Sequence, residues 1–522
     1  MPFCGKIYGD ELNSHQILDE VQLNEPNRGK IVLGVMFGVF LAGLDATVVG
    51  TAMPTIISQL GGMSLYSWVF SSYMLTTAVS MPLWGKLSDV YGKKNTLRSA
   101  VIIFLLGSIF SGTSQNMVQL IVFRGIQGIG AGGLSSVSFA LIGSIFPPEK
   151  RGKGVGAVSA TWGISSIVGP LLGSFLVTHF AWGWVFYVNI PFGLVSIYIL
   201  NKYLKENLVH KKERIDFVGA AILTTAILSL LFAFLRIGKT SSFFSNDIIL
   251  FIFMFCVLLY VFIKIEGKFG EPIVRIEYYR DRVFSVTNAL AFMSGFAIYG
   301  VIAFVPLFVQ SIQGGSPMMA GLAITPMALA WSAASITSGR IVHKVGERKM
   351  IRIGMLFMAV GFLLAYFMQY DSSITYIILC VMFIGAGMGI QTPAILVTIQ
   401  NSMSKSALGV ATSSQMLSRT LGGTIGVSVL GSALAGSMLS QFQSSEMQSK
   451  LTSFPATVLG HLGEPQELLS RHMREQMNPD QLITILNVFT RSLHSVFLTA
   501  FVVVIISLVV SFLLPFRKSE IK

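Results

Sequence analysis

The chain alternates between long apolar runs and short polar segments over most of its length. A run of about 20 apolar residues is long enough to cross the hydrocarbon core of a bilayer. Backbone groups in lipid must find their hydrogen-bond partners within the segment, so each run is predicted to be a helix. The pattern therefore predicts an all-α polytopic membrane protein with fourteen spans. The predicted spans are residues 31–54, 67–86, 97–114, 119–145, 154–178, 184–202, 216–236, 246–265, 283–312, 318–340, 351–369, 374–398, 407–436 and 493–515.

Three polar segments lie outside these runs. Residues 1–30 are polar, with no visible cleavable signal peptide, and are predicted to be an N-terminal tail. Residues 516–522 are predicted to be a short C-terminal tail. Residues 437–492 are predicted to be one long external loop, in which residues 464–476 have the pattern of a short amphipathic helix. A solvated or interfacial connector is the simplest interpretation of that loop.

Lys and Arg are distributed unevenly between the two sides of the predicted spans. With the N-terminus inside, two of the 37 lie within spans, and six face outside. Cytoplasmic segments of membrane proteins carry an excess of Lys and Arg. We therefore expect a multi-pass protein of the plasma (inner) membrane with both termini in the cytoplasm. The six outside residues are Arg236, Lys239, Lys450, Arg471, Arg474 and Arg491.

The composition agrees with a membrane protein and narrows the function. Charged residues are 12% of the chain and hydrophobic residues 53%, whereas a soluble chain is about one quarter charged. The net charge of +13 lies mainly in short loops, where it sets orientation, so no nucleic-acid partner is expected. The cysteines Cys4, Cys256 and Cys380 lack metal or redox spacing. Without a phosphate-binding loop, ATP is not expected to drive transport directly. We predict no metal, no cofactor and no enzymatic activity.

A short internal repeat divides the chain. Residues 85–92 (GKLSDVYG) and 339–346 (GRIVHKVG) each follow a predicted span and precede basic residues, and their glycines are 254 residues apart. Duplicated halves of a transporter place the substrate site at their interface. The repeat predicts a first half over residues 31–202 and a second half over 283–515. Residues 203–282 then form a linker with two additional spans.

Several motifs carry a resemblance to a known family. They are Leu44–Val49 with Met53 and Pro54, Gly85–Lys94, Arg124–Gly130, Gly163–Gly173, Trp182–Gly193, and the set Pro306, Gln310, Gly321 and Pro326. Together they resemble the fourteen-helix drug:proton antiporters of the major facilitator superfamily. The resemblance implies the major facilitator fold, with two six-helix halves plus two inserted helices. Gly183, Val90 and His343 depart from the family pattern, and the last two leave open how the halves hold together.

Asp45 and Arg124 are the charged residues predicted to lie deep in the first half. A carboxylate in hydrocarbon is costly in free energy, so proton uptake near neutral pH becomes accessible to it. Asp45 is therefore the candidate proton-binding residue; a permanently paired structural carboxylate is the alternative. The resemblance implies that Arg124 acts beside it in proton relay, whereas a helix-packing role is the alternative.

Polar and aromatic residues within the spans are candidates for the substrate cavity. Arg419 has two interpretations: it extends to the cytoplasmic edge, or it lines the cavity and favours anionic or zwitterionic groups. For each of the others, packing or lipid contact is the alternative. The predicted cavity residues are Gln127, Trp162, Tyr299, Gln310, Gln391, Gln415 and Arg419.

Two groups of residues are candidates for conformational gating. Gly85, Asp89 and Gly92 lie in the first copy of the repeat, where an acid beside a facing helix N-terminus would be favoured by the helix dipole. Gly163, Gly169, Pro170 and Gly173 either provide a bending element or allow simple close packing.

The sequence thus predicts proton-coupled export of hydrophobic or amphipathic compounds by alternating access. The expected partners are small amphipathic substrates, protons and the lipid bilayer, and the expected state is a monomer. Export of an endogenous metabolite, lipid or siderophore by the same fold is the first alternative. A polytopic membrane enzyme or receptor is a remote one, because the sequence offers neither a soluble domain nor a catalytic cluster at one face.

Overall fold

The computed structural model of the protein describes residues 27–61, 65–206, 217–240, 245–267, 276–314, 317–444, 447 and 477–515. Over these residues the chain folds into fourteen long helices. They are α1 (Arg28–Leu60), α2 (Tyr66–Tyr91), α3 (Lys93–Gly112), α4 (Met117–Ile145), α5 (Pro148–His179), α6 (Trp184–Tyr203), α7 (Phe217–Thr240), α8 (Asn246–Glu266), α9 (Arg282–Leu307), α10 (Pro317–Val345), α11 (Glu347–Tyr366), α12 (Ile374–Ser402), α13 (Leu408–Phe442) and α14 (Pro479–Ser511).

The number of helices agrees with the fourteen predicted spans. Twelve of the described helices are long and apolar enough to cross a membrane. The other two are α2, with 26 residues, and α7, with 24. α2 packs between α4 and α13 in the centre of the bundle, so it runs alongside helices that do span.

The two halves repeat one packing scheme. In α1–α6, helix α4 packs against α2 and α3, and α1 packs against α5 and α6. In α9–α14, helix α12 packs against α10 and α11, and α9 packs against α13 and α14. Each half buries its own apolar core, which includes Phe104 in the first half and Phe362 and Phe489 in the second. The short sequence repeat therefore reflects a repeat of whole six-helix units.

Two symmetry-related helix pairs join the halves. Helix α2 packs against α13, and α5 packs against α10. The inserted helices α7 and α8 pack on each other, and α7 contacts α2 and α13 from outside. Apolar side chains of α8 such as Leu250 and Phe253 are exposed, as expected for a helix that faces lipid. The inserted pair thus lies at the periphery of the bundle.

The repeated glycines form equivalent turns. Gly92 joins α2 to α3 with φ 83°, and Gly346 joins α10 to α11 with φ 95°. Glycine adopts this region without steric cost, which explains its presence at both positions. These turns and the α4–α5 and α12–α13 connections lie at one end of the bundle, where many Lys and Arg residues cluster. We call it the basic end.

The largest difference from the predicted boundaries is at α14. The helix begins at Pro479, not at residue 493, and α13 continues to Phe442, so the predicted loop 437–492 is shorter at both ends. The early start is fixed by a capping box between Asn478 and Gln481. The first turns of α14 contain polar residues, so the hydropathy pattern does not detect the start of this helix. Arg491, predicted to lie in the loop, is on α14, while the predicted helix 464–476 lies outside the described residues.

Candidate functional site

Asp45 and Arg124 form a buried ion pair in the first half. Asp45 lies on α1, roughly 25 Å along the helix from Arg28, and Arg124 lies on α4. Both side chains are about 1% exposed. The Arg124 Nη1 donates to Asp45 Oδ2 at 2.5 Å. The structure thus brings together the two charges that the sequence analysis selected.

Gln127 completes a closed triangle with this pair. It lies one turn after Arg124 on α4, and its side chain is fully buried. Its Oε1 accepts from Arg124 Nη1 at 2.7 Å, and its Nε2 donates to Asp45 Oδ1 at 2.8 Å. The predicted cavity residue Gln127 is therefore a direct partner of both charges.

Three further residues contact this group, and the sequence analysis did not select them as site residues. Asn189 Nδ2, on α6, donates to Asp45 Oδ1 at 3.3 Å and to Ser108 Oγ, on α3, at 3.0 Å. The Tyr73 ring, on α2, lies 4.1 Å from the Arg124 guanidinium carbon. A polar residue within an apolar run was the available signal for Asn189 and Ser108. We call Asp45, Arg124, Gln127, Asn189 and Ser108 the Asp45 network.

The Asp45 carboxyl group accepts hydrogen bonds from three side chains. Oδ2 accepts from Arg124, while Oδ1 accepts from Gln127 and Asn189. A buried ion pair is stable only when its remaining polar atoms also find partners, and this arrangement provides most of them. Two atoms of the network, Arg124 Nε and Asn189 Oδ1, have no hydrogen-bond partner among the described residues.

Glycines of α1 and α5 allow close packing of α5 on the segment of α1 that carries Asp45. A Cβ at Gly169 would lie 2.8 Å from Thr47 Cβ, and one at Gly43 would lie 2.8 Å from Ser165 Cβ. Only glycine permits so close an approach of the two helices. Gly163 faces the other half: a Cβ there would lie 2.6 Å from the Ala328 carbonyl oxygen on α10.

The remaining predicted gating residues of α5 are part of the same continuous helix. Gly173 is buried, and Pro170 is half-buried inside α5, which runs without interruption from Pro148 to His179. The proline removes one backbone donor from the helix. These placements are compatible with either bending or close packing.

Asp89 joins α2 to the N-terminus of α13 at the basic end. Its Oδ1 accepts from the Gly409 backbone N–H at 2.9 Å, and its Oδ2 accepts from Val410 N–H at 3.0 Å. Lys93 Nζ lies 4.0 Å from Oδ1. Burial raises the pKa of the Asp89 carboxyl to about 6, although Lys93 and the two backbone donors act in the opposite direction. A Cβ at Gly85 would lie 2.8 Å from the Gly409 oxygen, so glycine allows this close contact.

The second contact between the halves uses different chemistry. A Cβ at Gly152 on α5 would lie 2.7 Å from the Gly339 oxygen on α10, which repeats the Gly85–Gly409 approach. Where the first copy has Asp89, the second has His343, and no equivalent acid is present. Instead Asn401 accepts from Arg151 Nη1 at 2.7 Å and donates to Glu347 Oε1 at 2.7 Å. Arg151 and Glu347 were not selected from the sequence.

The predicted cavity residues lie in several places. Trp162 is half-buried near Gly43, and Gln310 is exposed in the π-helical turn Phe308–Ile312 that follows α9. Gln391 is buried within the second half and donates to Met358 Sδ at 2.7 Å. Tyr299 lies on α9, and Gln415 and Arg419 lie on α13.

The sequence and the fold are similar to those of known proteins. The sequence matches the Major Facilitator Superfamily over residues 35–427. It is 34% identical over 495 residues to Multidrug resistance protein 3 of Bacillus subtilis, with 94% of this chain and 96% of that protein covered. It is 33% identical to Multidrug transporter protein MdtP of the same organism, with 95% of each covered. The human organic anion transporter MFSD10 (TETRAN) superposes with a TM-score of 0.61 at 16% identity, over 92% of this chain and 100% of that chain. This last likeness shows the fold alone.

Proposed function

This chain belongs to the Major Facilitator Superfamily, and from that premise we propose that it is a proton-coupled antiporter that exports hydrophobic or amphipathic compounds. The names of the two Bacillus relatives support multidrug efflux as the class of transport. The observation that carries the proton coupling is the Asp45 network. It places one carboxylate deep in a span, next to a fixed cation, where its charge state controls contacts among four helices.

In the proposed mechanism, a proton that reaches Asp45 cancels its charge and weakens the ion pair with Arg124. The Arg124 guanidinium then keeps its contacts with Gln127 and with the rings of Tyr73 and Phe186. Because α1 and α4 are joined through this pair, its loss changes the preferred position of α1 against α4. Return of the ion pair on proton release resets the first half.

Alternating access follows from the arrangement of the two halves. The contacts of Asp89 with α13 and of Arg151 with Asn401 close the basic end in this structure. We propose that the basic end faces the cytoplasm, because Lys and Arg are in excess there. The structure, with its basic end closed, then corresponds to the outward-facing state. Breaking these contacts opens the basic end and admits cargo from the cytoplasm. Both halves of the pathway belong to one chain, which supports a monomer as the transporting unit.

The Asp45→Asn variant tests proton coupling. Asn keeps the shape of the side chain and some of its hydrogen bonds but cannot cycle between charged and neutral forms. We expect it to abolish dye export driven by a pH gradient in proteoliposomes, while binding of the same dye persists. The dye is one that the wild type exports, chosen from a panel of positive, neutral and negative amphipathic dyes.

Asp371→Asn, at an exposed position between α11 and α12, is the matched control and retains full export. Gradient-driven export by Asp45→Asn at the wild-type rate would contradict proton coupling through this residue. If the wild type exports no dye of the panel, the amphipathic cargo class is wrong and an endogenous metabolite takes its place.

A further inference from the structure

Two polar side chains of the second half remain outside the mechanism described above. Gln415 and Arg419 lie on α13 four residues apart, so they are neighbours on one face of the helix. Arg419 is eleven residues from the start of α13 at Leu408, roughly 16 Å along the helix. Arg419 therefore lies about three turns into a membrane-spanning helix and not at its first turn.

Both side chains have polar atoms that are buried without partners. Gln415 is fully buried, and neither its Nε2 nor its Oε1 has a hydrogen-bond partner among the described residues. The same holds for Arg419 Nε and Nη2. Leaving such a group unpaired costs on the order of 1–3 kcal/mol. Four such atoms on two neighbouring side chains make this place a candidate ligand site.

The two Arg419 nitrogen atoms that lack partners, Nε and Nη2, have a defined geometry. Nε and Nη2 lie on the same edge of the planar guanidinium, and their two N–H groups point in parallel. This edge matches the two oxygens of a carboxylate, which accept one hydrogen bond each. The Gln415 amide adds one donor and one acceptor beside it. The pair is therefore suited to a carboxylate that carries a further polar group.

The position of Tyr299 shows which way Arg419 faces. Tyr299, on α9, is close enough to Arg419 to interact with it electrostatically, and it interacts in the same way with Tyr73 of the first half. The Tyr73 ring in turn contacts Arg124. Arg419 thus faces the region between the halves, on the far side of two tyrosines from the Asp45 network. Its side chain is only partly buried.

The charges of the region favour an anion. Arg124 is neutralised by Asp45, whereas no Asp or Glu of the described chain forms an ion pair with Arg419. A cation that is not compensated within the membrane is stabilised by a negatively charged partner. We propose that Arg419 and Gln415 form a subsite that binds the carboxylate of an amphipathic cargo molecule. The inference rests on the proposed export function and names the chemical class of its cargo.

A matched pair of fluorescent probes tests this subsite. Dansyl-phenylalanine carries a carboxylate, and its carboxamide has the same shape without the charge. We expect the wild-type protein, in nanodiscs of zwitterionic phosphatidylcholine, to bind the carboxylate at least about tenfold more tightly than the amide. Arg419→Gln should remove this preference by weakening carboxylate binding to the level of the amide. Arg419→Lys should keep part of the preference for the carboxylate, because an ammonium supplies the charge but not the two parallel N–H donors.

Unchanged binding of the amide by Arg419→Gln shows that the variant is folded. Arg491→Gln, which removes an exposed arginine of α14, is the control and keeps the full preference. The proposal is overturned if the wild type shows no preference, or if the preference survives in Arg419→Gln. The titration uses no proton gradient, so its outcome is independent of the Asp45→Asn transport experiment. Failure of proton coupling and failure of the subsite are thereby distinguished.

Discussion

At the scale of single residues, the two halves treat their buried charges differently. Asp45 and Arg124 satisfy each other with help from Gln127 and Asn189, and removal of one partner from such a pair typically costs about 3–5 kcal/mol. Among the residues that the structure describes, no carboxylate forms an ion pair with Arg419. We therefore propose that a proton switches the charge pair of the first half, and that a ligand neutralises the fixed charge of the second half.

Asp89 is expected to make the equilibrium between the closed and open forms of the basic end depend on pH. Burial raises its pKa to about 6 from 3.8, and the pKa returns toward 3.8 when the end opens and water reaches the carboxyl. The closed form therefore binds the proton more tightly. We expect lowering the pH from about 7 to about 4 to favour the closed form. Above about pH 7 Asp89 is ionised in both forms, so it contributes no dependence there.

Distances between spin labels at positions 98 and 349, measured by electron resonance across this pH range, report the closure. Both positions are exposed, one in each half at the basic end. Asp89→Asn should lose the pH dependence, whereas Glu149→Gln, an exposed carboxyl at the same end, should keep it. An identical pH response in the wild type and Asp89→Asn would show that another group is responsible.

At the scale of helices, close approach of glycines determines which elements meet. The α2–α13 and α5–α10 contacts each bring a glycine to the backbone of the facing helix, at Gly85 and Gly152. In lipid there is no hydrophobic drive for helix association, so packing at small residues supplies much of the attraction. The same contacts must break when the basic end opens, so their strength sets the balance between the two states.

Gly163 offers a test of this balance. Its Cβ position is 2.6 Å from the Ala328 oxygen, closer than real Cβ contacts, so Gly163→Ala must push α5 away from α10. We expect the spin-label distances to shift toward the open form by at least about tenfold in population, roughly 1.4 kcal/mol. Gly50→Ala, where a Cβ meets nothing within 4 Å, is the control. A wild-type distance distribution in Gly163→Ala would mean that α5–α10 packing does not govern closure.

At the scale of the whole molecule, the fold is two repeated units with unequal contacts. The α2–α13 contact uses an acid on a helix N-terminus, while the α5–α10 side relies on Asn401 between Arg151 and Glu347. The departure at His343 explains the difference, since the second copy of the repeat lacks the acid. The α2–α13 contact is the one that contains Asp89, the carboxyl whose pKa burial raises to about 6.

The proposed orientation of the molecule can be checked in intact cells. Single cysteines at positions 98 and 349 lie at the basic end, and one at 371 lies in the connection between α11 and α12 at the opposite end. We expect a membrane-impermeant maleimide to label position 371 alone, in a background where Cys4, Cys256 and Cys380 are serine. Labelling of 98 and 349 with protection of 371 would invert the orientation.

The sequence by itself determined the number of helices, their approximate positions and the deep charges of the first half. These features follow from the thickness of the bilayer, which fixes the length of an apolar run, and from the cost of a charge in hydrocarbon, which makes Asp45 conspicuous. The start of α14 was missed because its first turns are polar and are fixed by a local cap, not by hydropathy.

Only the tertiary structure decided which polar groups meet. Asn189 is 144 residues from Asp45 and Tyr73 is on another helix again, and their contacts depend on how each helix is rotated and spaced against its neighbours. The sequence left Arg419 between two interpretations for the same reason. Arg419 Nε and Nη2 have no hydrogen-bond partner among the described residues, and this is a property of packed helices, because the neighbouring helices determine which polar groups come within reach.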